Sequence, residues 1–101
     1  MQVNISSVHF KADKKLLAYI KEKVEKLSQF YDGVLGSDVT LKLENSGSRE
    51  NKLAEIKLFI KGDDLFAKKA SKSFEEATDN SVEALRRQLK KYKGKIVDKN
   101  R

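Results

Sequence analysis

A long amphipathic segment over residues 73–95 constrains the fold of this chain more than any other stretch. Its apolar positions recur at steps of three or four residues: Phe74, Ala77, Thr78, Val82, Leu85, Leu89 and Tyr92, with Ile96 continuing the series. This spacing predicts one long helix whose single apolar stripe packs on a core. Ser73 precedes the helix as a suitable N-cap, and Glu76 three residues later completes a capping box.

Positive charge is concentrated in the C-terminal part of this segment. Residues 84–101 contain eight Lys or Arg and one acid, whereas residues 1–83 contain fourteen of each sign, so the whole formal charge of +7 lies at the end of the chain. The basic side chains form two rows, one beside the apolar stripe and one on its far side: Arg86, Lys90 and Lys93, then Arg87 and Lys91. Charge gathered at one end of a helix predicts a polyanionic partner.

The preceding chain divides into five further elements. Alternating apolar residues predict strands over residues 2–6, 39–44, 54–61 and 65–70. A helix is predicted from the N-cap Asp13 to about Phe30, with its inner face formed by Leu16, Leu17, Ile20, Val24 and Leu27. In the last strand the alternation leaves two choices open, because either Leu65 and Ala67 or Phe66 and Ala70 could face inward.

The resulting order, β-α-β-β-β-α, predicts an α+β fold with a four-stranded mixed sheet. The first two strands are joined through a helix, so they should be parallel with a right-handed crossover. Gly62 and the acids after it predict a tight turn between the last two strands. Both helices should pack on one face of the sheet, and the other face should be open to water. We expect one domain over residues 1–96 and a short basic tail over residues 97–101.

The composition argues against an enzyme. The chain has no cysteine and a single histidine, His9, so it offers no paired ligands for a metal and no nucleophile with its base. We therefore expect no catalytic residue, no metal, no cofactor and no small-molecule substrate. No apolar run approaches the roughly 18 residues of a membrane span, and the polar N-terminus is not a signal peptide, which favours the cytoplasm. A nucleic acid fits better than a membrane surface, because the apolar stripe is needed for the core.

Three groups of residues resemble the ribosome hibernation-promoting factor family, also called ribosome-associated inhibitor or protein Y. The first group is Met1, Gln2, Val3, Asn4, Ile5 and His9. The second, in the first helix, is Tyr19, Glu22, Lys23, Glu25, Lys26 and Leu27. The third and most specific, in the last helix, is Arg87, Gln88, Leu89, Lys91, Lys93 and Lys95. The resemblance covers about residues 1–96.

This resemblance implies a fold similar to double-stranded-RNA-binding domains and an activity without catalysis. Members of the family bind ribosomal RNA of the small subunit near the decoding centre, exclude messenger and transfer RNA, and store idle ribosomes under stress or in stationary phase. By resemblance, the RNA contacts are Arg87, Lys91, Lys93 and Lys95, with Lys23 and Lys26 on the same surface. The chain ends at Arg101, which resembles the short form of the family, expected to be a monomer in isolation.

The chain also departs from the family pattern. Ser73 and Glu75 stand where the family often has Asp and Tyr, and Ala84 replaces a lysine, while Arg86 and Lys90 add positive charge nearby. Two other hypotheses stay open: a general double-stranded-RNA-binding module and a protein that binds an acidic protein partner. Three aromatic residues could stack on bases or pack as side chains, with packing favoured for the last: Phe59, Phe66 and Tyr92.

Overall fold

The computed structural model describes residues 1–44 and 47–99, with the side chains of the last helix described as far as Gly94. Its elements are β1 (Gln2–Ser7), α1 (Lys14–Phe30), β2 (Val34–Leu43), β3 (Lys52–Ile60), β4 (Asp63–Ser71) and α2 (Phe74–Lys99). The order β-α-β-β-β-α is therefore confirmed. Asn45, Ser46, the Lys95 and Ile96 side chains and the last two residues of the predicted tail lie outside the described part.

The four strands form one mixed sheet in the order β1-β2-β3-β4. β1 pairs in parallel with β2, and the other neighbours are antiparallel, as predicted. The last two strands are joined by Lys61 and Gly62 alone, because Ile60 pairs directly with Asp63. Gly62 has φ of 87°, a conformation that glycine adopts far more readily than other residues.

The core lies between one face of the sheet and the two helices. α1 contributes Ile20, Val24 and Leu27, and α2 contributes Ala77, Leu85 and Leu89, all packed over inward-facing strand residues such as Val39, Leu41, Ile56 and Leu58. The N-caps of both helices are as predicted: Asp13 accepts a hydrogen bond from the Leu16 N–H, and the Ser73 hydroxyl accepts one from the Glu76 N–H. The prediction that Leu17 faces inward is wrong. Its side chain is 36% exposed, at the edge of the α1 stripe.

Several elements are longer than the sequence indicates, among them β2 and α2. β2 begins at Val34 rather than at residue 39, because the chain accommodates Leu35 in an irregularity of the register and then continues pairing through Gly36. A Cβ on Gly36 would lie 3.2 Å from the Gln2 carbonyl oxygen, so this glycine permits a close approach of β1 instead of breaking the strand. α2 extends to Lys99, three residues past the predicted domain boundary.

The structure also shows which β4 side chains face the core. Ala67 is buried and Leu65 half-buried beneath α2, whereas Phe66 is 53% exposed on the opposite, open face. The Gln88 side-chain amide of α2 donates a hydrogen bond of 2.9 Å to the Phe66 carbonyl, which satisfies one backbone group on the outer edge of the sheet.

Candidate nucleic-acid interface

The two helices run in the same direction. Near their N-terminal ends, the Tyr19 hydroxyl of α1 donates a hydrogen bond to the Asp79 carboxylate of α2. Farther along both helices, Phe30, the last residue of α1, lies beside Arg86 and Lys93 of α2. The negative end of the α1 dipole therefore lies next to the basic half of α2, an arrangement that stabilises positive charge there.

Phe30 contacts two of the predicted basic residues at once. The Arg86 guanidinium carbon is 5.3 Å and the Lys93 ammonium nitrogen 5.5 Å from the centroid of the Phe30 ring. Both distances fall within the range in which a cation is attracted to the ring, about 6 Å. Phe30 itself is half-buried and packs against the core, so the ring is held by the scaffold.

A groove of about 550 Å³ separates the exposed surfaces of the two helices. It is lined by Lys23, Lys26, Leu27, Gln29, Phe30, Asp79, Val82, Glu83 and Arg86. The two predicted lysines of α1 thus lie in the same groove as Arg86 of α2. Lys23 is half-buried, with its ammonium nitrogen 5.4 Å from the centroid of the Tyr19 ring, and Lys26 is exposed.

The remaining predicted residues lie on the outer side of α2. Lys90 lines a shallow depression together with Phe30, Glu83, Arg86 and Arg87. The Nε atom of Arg87 is 3.7 Å from a Glu83 carboxylate oxygen, but both side chains are more than half exposed, so this pair contributes little to stability. Lys91 is fully on the solvent side. Lys95 belongs to α2, but its side chain is outside the described residues.

Two acids reduce the positive charge of the groove: Asp79 lies toward its N-terminal end, and Glu83 lies beside Arg86, Arg87 and Lys90. Asp79 and Glu83 line it on the α2 side, and Asp79 is bound by Tyr19. The hydrogen bond to the Asp79 carboxylate, helped by burial, raises the pKa of Tyr19 to about 12. The phenol is neutral at physiological pH with or without this shift, and its hydroxyl donates to the Asp79 carboxylate. The predicted basic residues Lys26, Arg86, Lys90 and Lys93 lie farther toward the C-terminal ends of the two helices.

The open face of the sheet has a different charge pattern. Glu55 lies 3.4 Å from the Lys42 ammonium and 3.7 Å from that of Lys68, and Lys57 lies 3.8 Å from Asp64. Cations and acids alternate on this face, so it lacks the excess of positive charge found on the helices. Its aromatic residues, half-buried Phe59 and exposed Phe66, lie among these pairs.

Sequence reasoning missed the parts played by Phe30 and by the Tyr19–Asp79 pair. Phe30 is recognisable in the sequence as an aromatic residue at the end of the first predicted helix. Its partners Arg86 and Lys93 are 56 and 63 residues away in the chain, so no local pattern indicated the contact. Tyr92 packs as predicted. Its ring meets Tyr31 edge-on at 5.9 Å, and its hydroxyl donates a hydrogen bond of 3.0 Å to the Lys61 carbonyl.

Other kinds of site have little support in the part of the chain that the structure describes. There, His, Asp and Glu side chains form no group of three that could hold a metal ion. Neither helix, over its described residues, is long and apolar enough to cross a membrane.

Residues 3–97 match the model of a protein family described as Sigma 54 modulation protein / S30EA ribosomal protein. The chain is 32% identical over 95 residues to a ribosome hibernation promoting factor of Pseudomonas putida, an alignment that covers 94% of this chain and 89% of that protein. It is 27% identical over 96 residues to the protein of the same name in Escherichia coli strain K12, covering 95% of this chain and 97% of that protein.

Two solved structures share the fold. A ribosomal subunit interface protein from Coxiella burnetii superimposes with a TM-score of 0.81 at 16% identity, covering 93% of this chain and 99% of that one. The N-terminal domain of Thermus thermophilus Protein Y gives a TM-score of 0.78 at 22% identity, covering 91% of this chain and 99% of that one. At these identities the likeness concerns the arrangement of helices and strands.

Proposed function

The chain belongs to the Sigma 54 modulation protein / S30EA ribosomal protein family, and we propose that it is a ribosome hibernation factor. In this proposal it binds ribosomal RNA of the small subunit near the decoding centre, excludes messenger and transfer RNA, and thereby inhibits translation and stores idle ribosomes. Its place of action is then the cytoplasm, and the chain binds as a monomer.

One observation carries the proposal: basic side chains from two helices share one surface, whereas the open sheet face has alternating charges. Lys23 and Lys26 of α1 lie in one groove with Arg86 of α2, and Lys90 borders the same ring of Phe30. Such a surface neutralises several phosphates and releases their counterions, which is the main source of sequence-independent affinity for nucleic acids. The RNA contacts proposed are Lys23, Lys26, Arg86, Arg87, Lys90, Lys91, Lys93 and Lys95.

The proposed mechanism is occupancy of a site. A protein that binds without chemistry acts by mass action and blocks only the ligands that need the same site. Messenger RNA and initiator transfer RNA bound beforehand should therefore protect the small subunit, and protein added first should exclude them. Inhibition should saturate near one protein per ribosome.

Cell-free translation with both orders of addition tests this function. The proposal expects strong inhibition when the protein meets empty subunits and weak inhibition when messenger and transfer RNA are already bound. Inhibition far below one protein per ribosome would indicate an enzyme. Equal inhibition of ribosomes that are already elongating would contradict a site near the decoding centre.

Sedimentation from a cell lysate separates the other hypotheses. A ribosome-binding factor should pellet with ribosomes and prefer the assembled subunit to a plain RNA duplex. A general double-stranded-RNA-binding module should bind an A-form duplex by its shape alone. A protein that binds an acidic protein should remain bound after treatment with RNase.

A further inference from the structure

We propose that Phe30 is a positioning residue for RNA binding, which holds Arg86 and Lys93 in a fixed arrangement before the RNA arrives. The inference rests on the proposed function, because it assumes that these two cations contact phosphates. Phe30 touches the RNA only through them.

The contacts of the Phe30 ring support this role. Arg86 and Lys93 are seven residues apart on α2, or about 10 Å along the helix axis. One ring lies within 5.5 Å of both charged groups. Phe30 also packs against the core, so its ring is held in place by the protein. Attraction to this ring therefore restricts both charged side chains to the region between α1 and α2.

The three other predicted basic residues of α2 with described side chains, Arg87, Lys90 and Lys91, have no comparable aromatic contact. Arg87 has one exposed pair with Glu83 at 3.7 Å. Lys90 and Lys91 are exposed and have no ion pair with any described residue. Such long side chains must give up rotamer freedom when they bind, and that loss reduces affinity. Phe30 removes part of the loss in advance for Arg86 and Lys93.

Two other roles for Phe30 make different predictions. If the ring stacked on an RNA base, its removal would weaken binding whether or not the two cations are present. If it only filled space between the helices, its removal would lower the melting temperature and alter affinity only through unfolding. A positioning residue instead loses its effect once the cations that it positions are removed.

The experiment measures affinity for purified small subunits with Phe30→Leu, which keeps an apolar side chain but removes the ring. We expect about a three- to ten-fold loss of affinity, the size that follows from ordering two long side chains. Phe30→Tyr, which restores a ring, should recover most of it. Phe66→Leu on the open sheet face is the matched control and should leave affinity unchanged.

The same substitution is then made in a protein that carries Arg86→Met and Lys93→Met. Here Phe30→Leu should cause no further loss. An equal loss in both backgrounds would overturn the proposal in favour of base stacking, and no loss in the wild-type background would overturn it as well.

A measurement on the free protein, without RNA, tests the positioning role independently of the proposed function. Side-chain NMR relaxation of the Arg86 Nε–H group in the free protein should show greater mobility in Phe30→Leu than in wild type, while Arg87 is unchanged. Equal mobility of Arg86 in the two proteins would overturn the positioning role. If the wild-type protein fails to bind subunits at all, the proposed function fails, whatever this measurement gives.

Discussion

The hydroxyl of Tyr19 lies 2.8 Å and 2.7 Å from the two carboxylate oxygens of Asp79, and this contact joins α1 to α2 across 60 residues of sequence. It fixes the separation of the helices at one end of the basic groove, and Phe30 with its two cations lies toward the other end. The groove in which Lys23 and Lys26 meet Arg86 therefore depends on contacts that are remote in the chain.

The Tyr19–Asp79 contact predicts how stability depends on alkaline pH. The neighbouring carboxylate raises the pKa of Tyr19 from 10.0 to about 12, so the folded state favours the neutral phenol. The stabilising contribution is complete below pH 10 and is lost as pH rises from 10 to about 12. We expect Tyr19→Phe to be less stable than wild type near neutral pH, and the difference to shrink in this window. Denaturant unfolding of both proteins across the window measures it, and a constant difference would contradict the assignment.

Charge reversal on the outer side of α2 should separate binding from stability. We expect Arg87→Glu with Lys91→Glu to abolish co-sedimentation with ribosomes, because both lie opposite the apolar stripe and face the proposed RNA. Each exposed change should alter the free energy of unfolding by only about 0.5 kcal/mol. Lys14→Glu with Lys15→Glu is the control with the same charge change, about 22 Å before the end of α1. Retained binding by the first variant would remove Arg87 and Lys91 from the site.

Affinity should fall steeply with salt. If five or six basic residues contact phosphates, counterion release gives a slope of about −4 to −5 for log affinity against log salt. Titrations at several salt concentrations with purified small subunits measure this slope. A flat dependence would show that the basic surface is not the main determinant of binding.

Removal of two buried hydroxyls on α2 should change the free energy of unfolding in opposite directions. Thr78 is fully buried, and its hydroxyl has no hydrogen-bond partner in the part of the chain that the structure describes. Thr78→Val keeps the shape and should raise the free energy of unfolding by about 1 kcal/mol. Ser81 donates a hydrogen bond of 3.2 Å to the Ala54 carbonyl, so Ser81→Ala should lower it by about 1 kcal/mol. Denaturant unfolding measures both changes, and a loss of stability in Thr78→Val would indicate an unseen partner.

Gly94 lowers the stability of α2, and no close contact in the described structure requires a glycine there. Apart from its chain neighbours and the backbone of its own helix, a Cβ at this position would meet no atom of the described residues within 4 Å, so no described close approach requires glycine. Because glycine is a poor helix former, Gly94→Ala should stabilise the end of α2 by up to about 1 kcal/mol. A rise in helical circular dichroism and melting temperature is expected, and an unchanged signal would mean that this end contributes nothing to the measured transition.

Periodicity in the sequence predicted most of the fold. Alternation in β3, the apolar stripe of α2 and the N-caps Asp13 and Ser73 are local signals, and the order of the elements required β1 and β2 to be parallel. The start of β2 could not be predicted in this way, because residues 34–38 do not alternate and Gly36 pairs with Gln2 of β1, far away in the chain. The similarity to double-stranded-RNA-binding domains stays a prediction.

The sequence by itself determined which residues carry the charge and which face of each helix is apolar, because both properties follow from spacing along one element. Only the tertiary structure decided that Phe66 faces outward, that Lys23 and Lys26 share a groove with Arg86, and that Phe30 lies between Arg86 and Lys93. These relationships depend on the angle and separation at which two helices pack on a sheet. Contacts among residues far apart in the chain set both, and no local pattern records them.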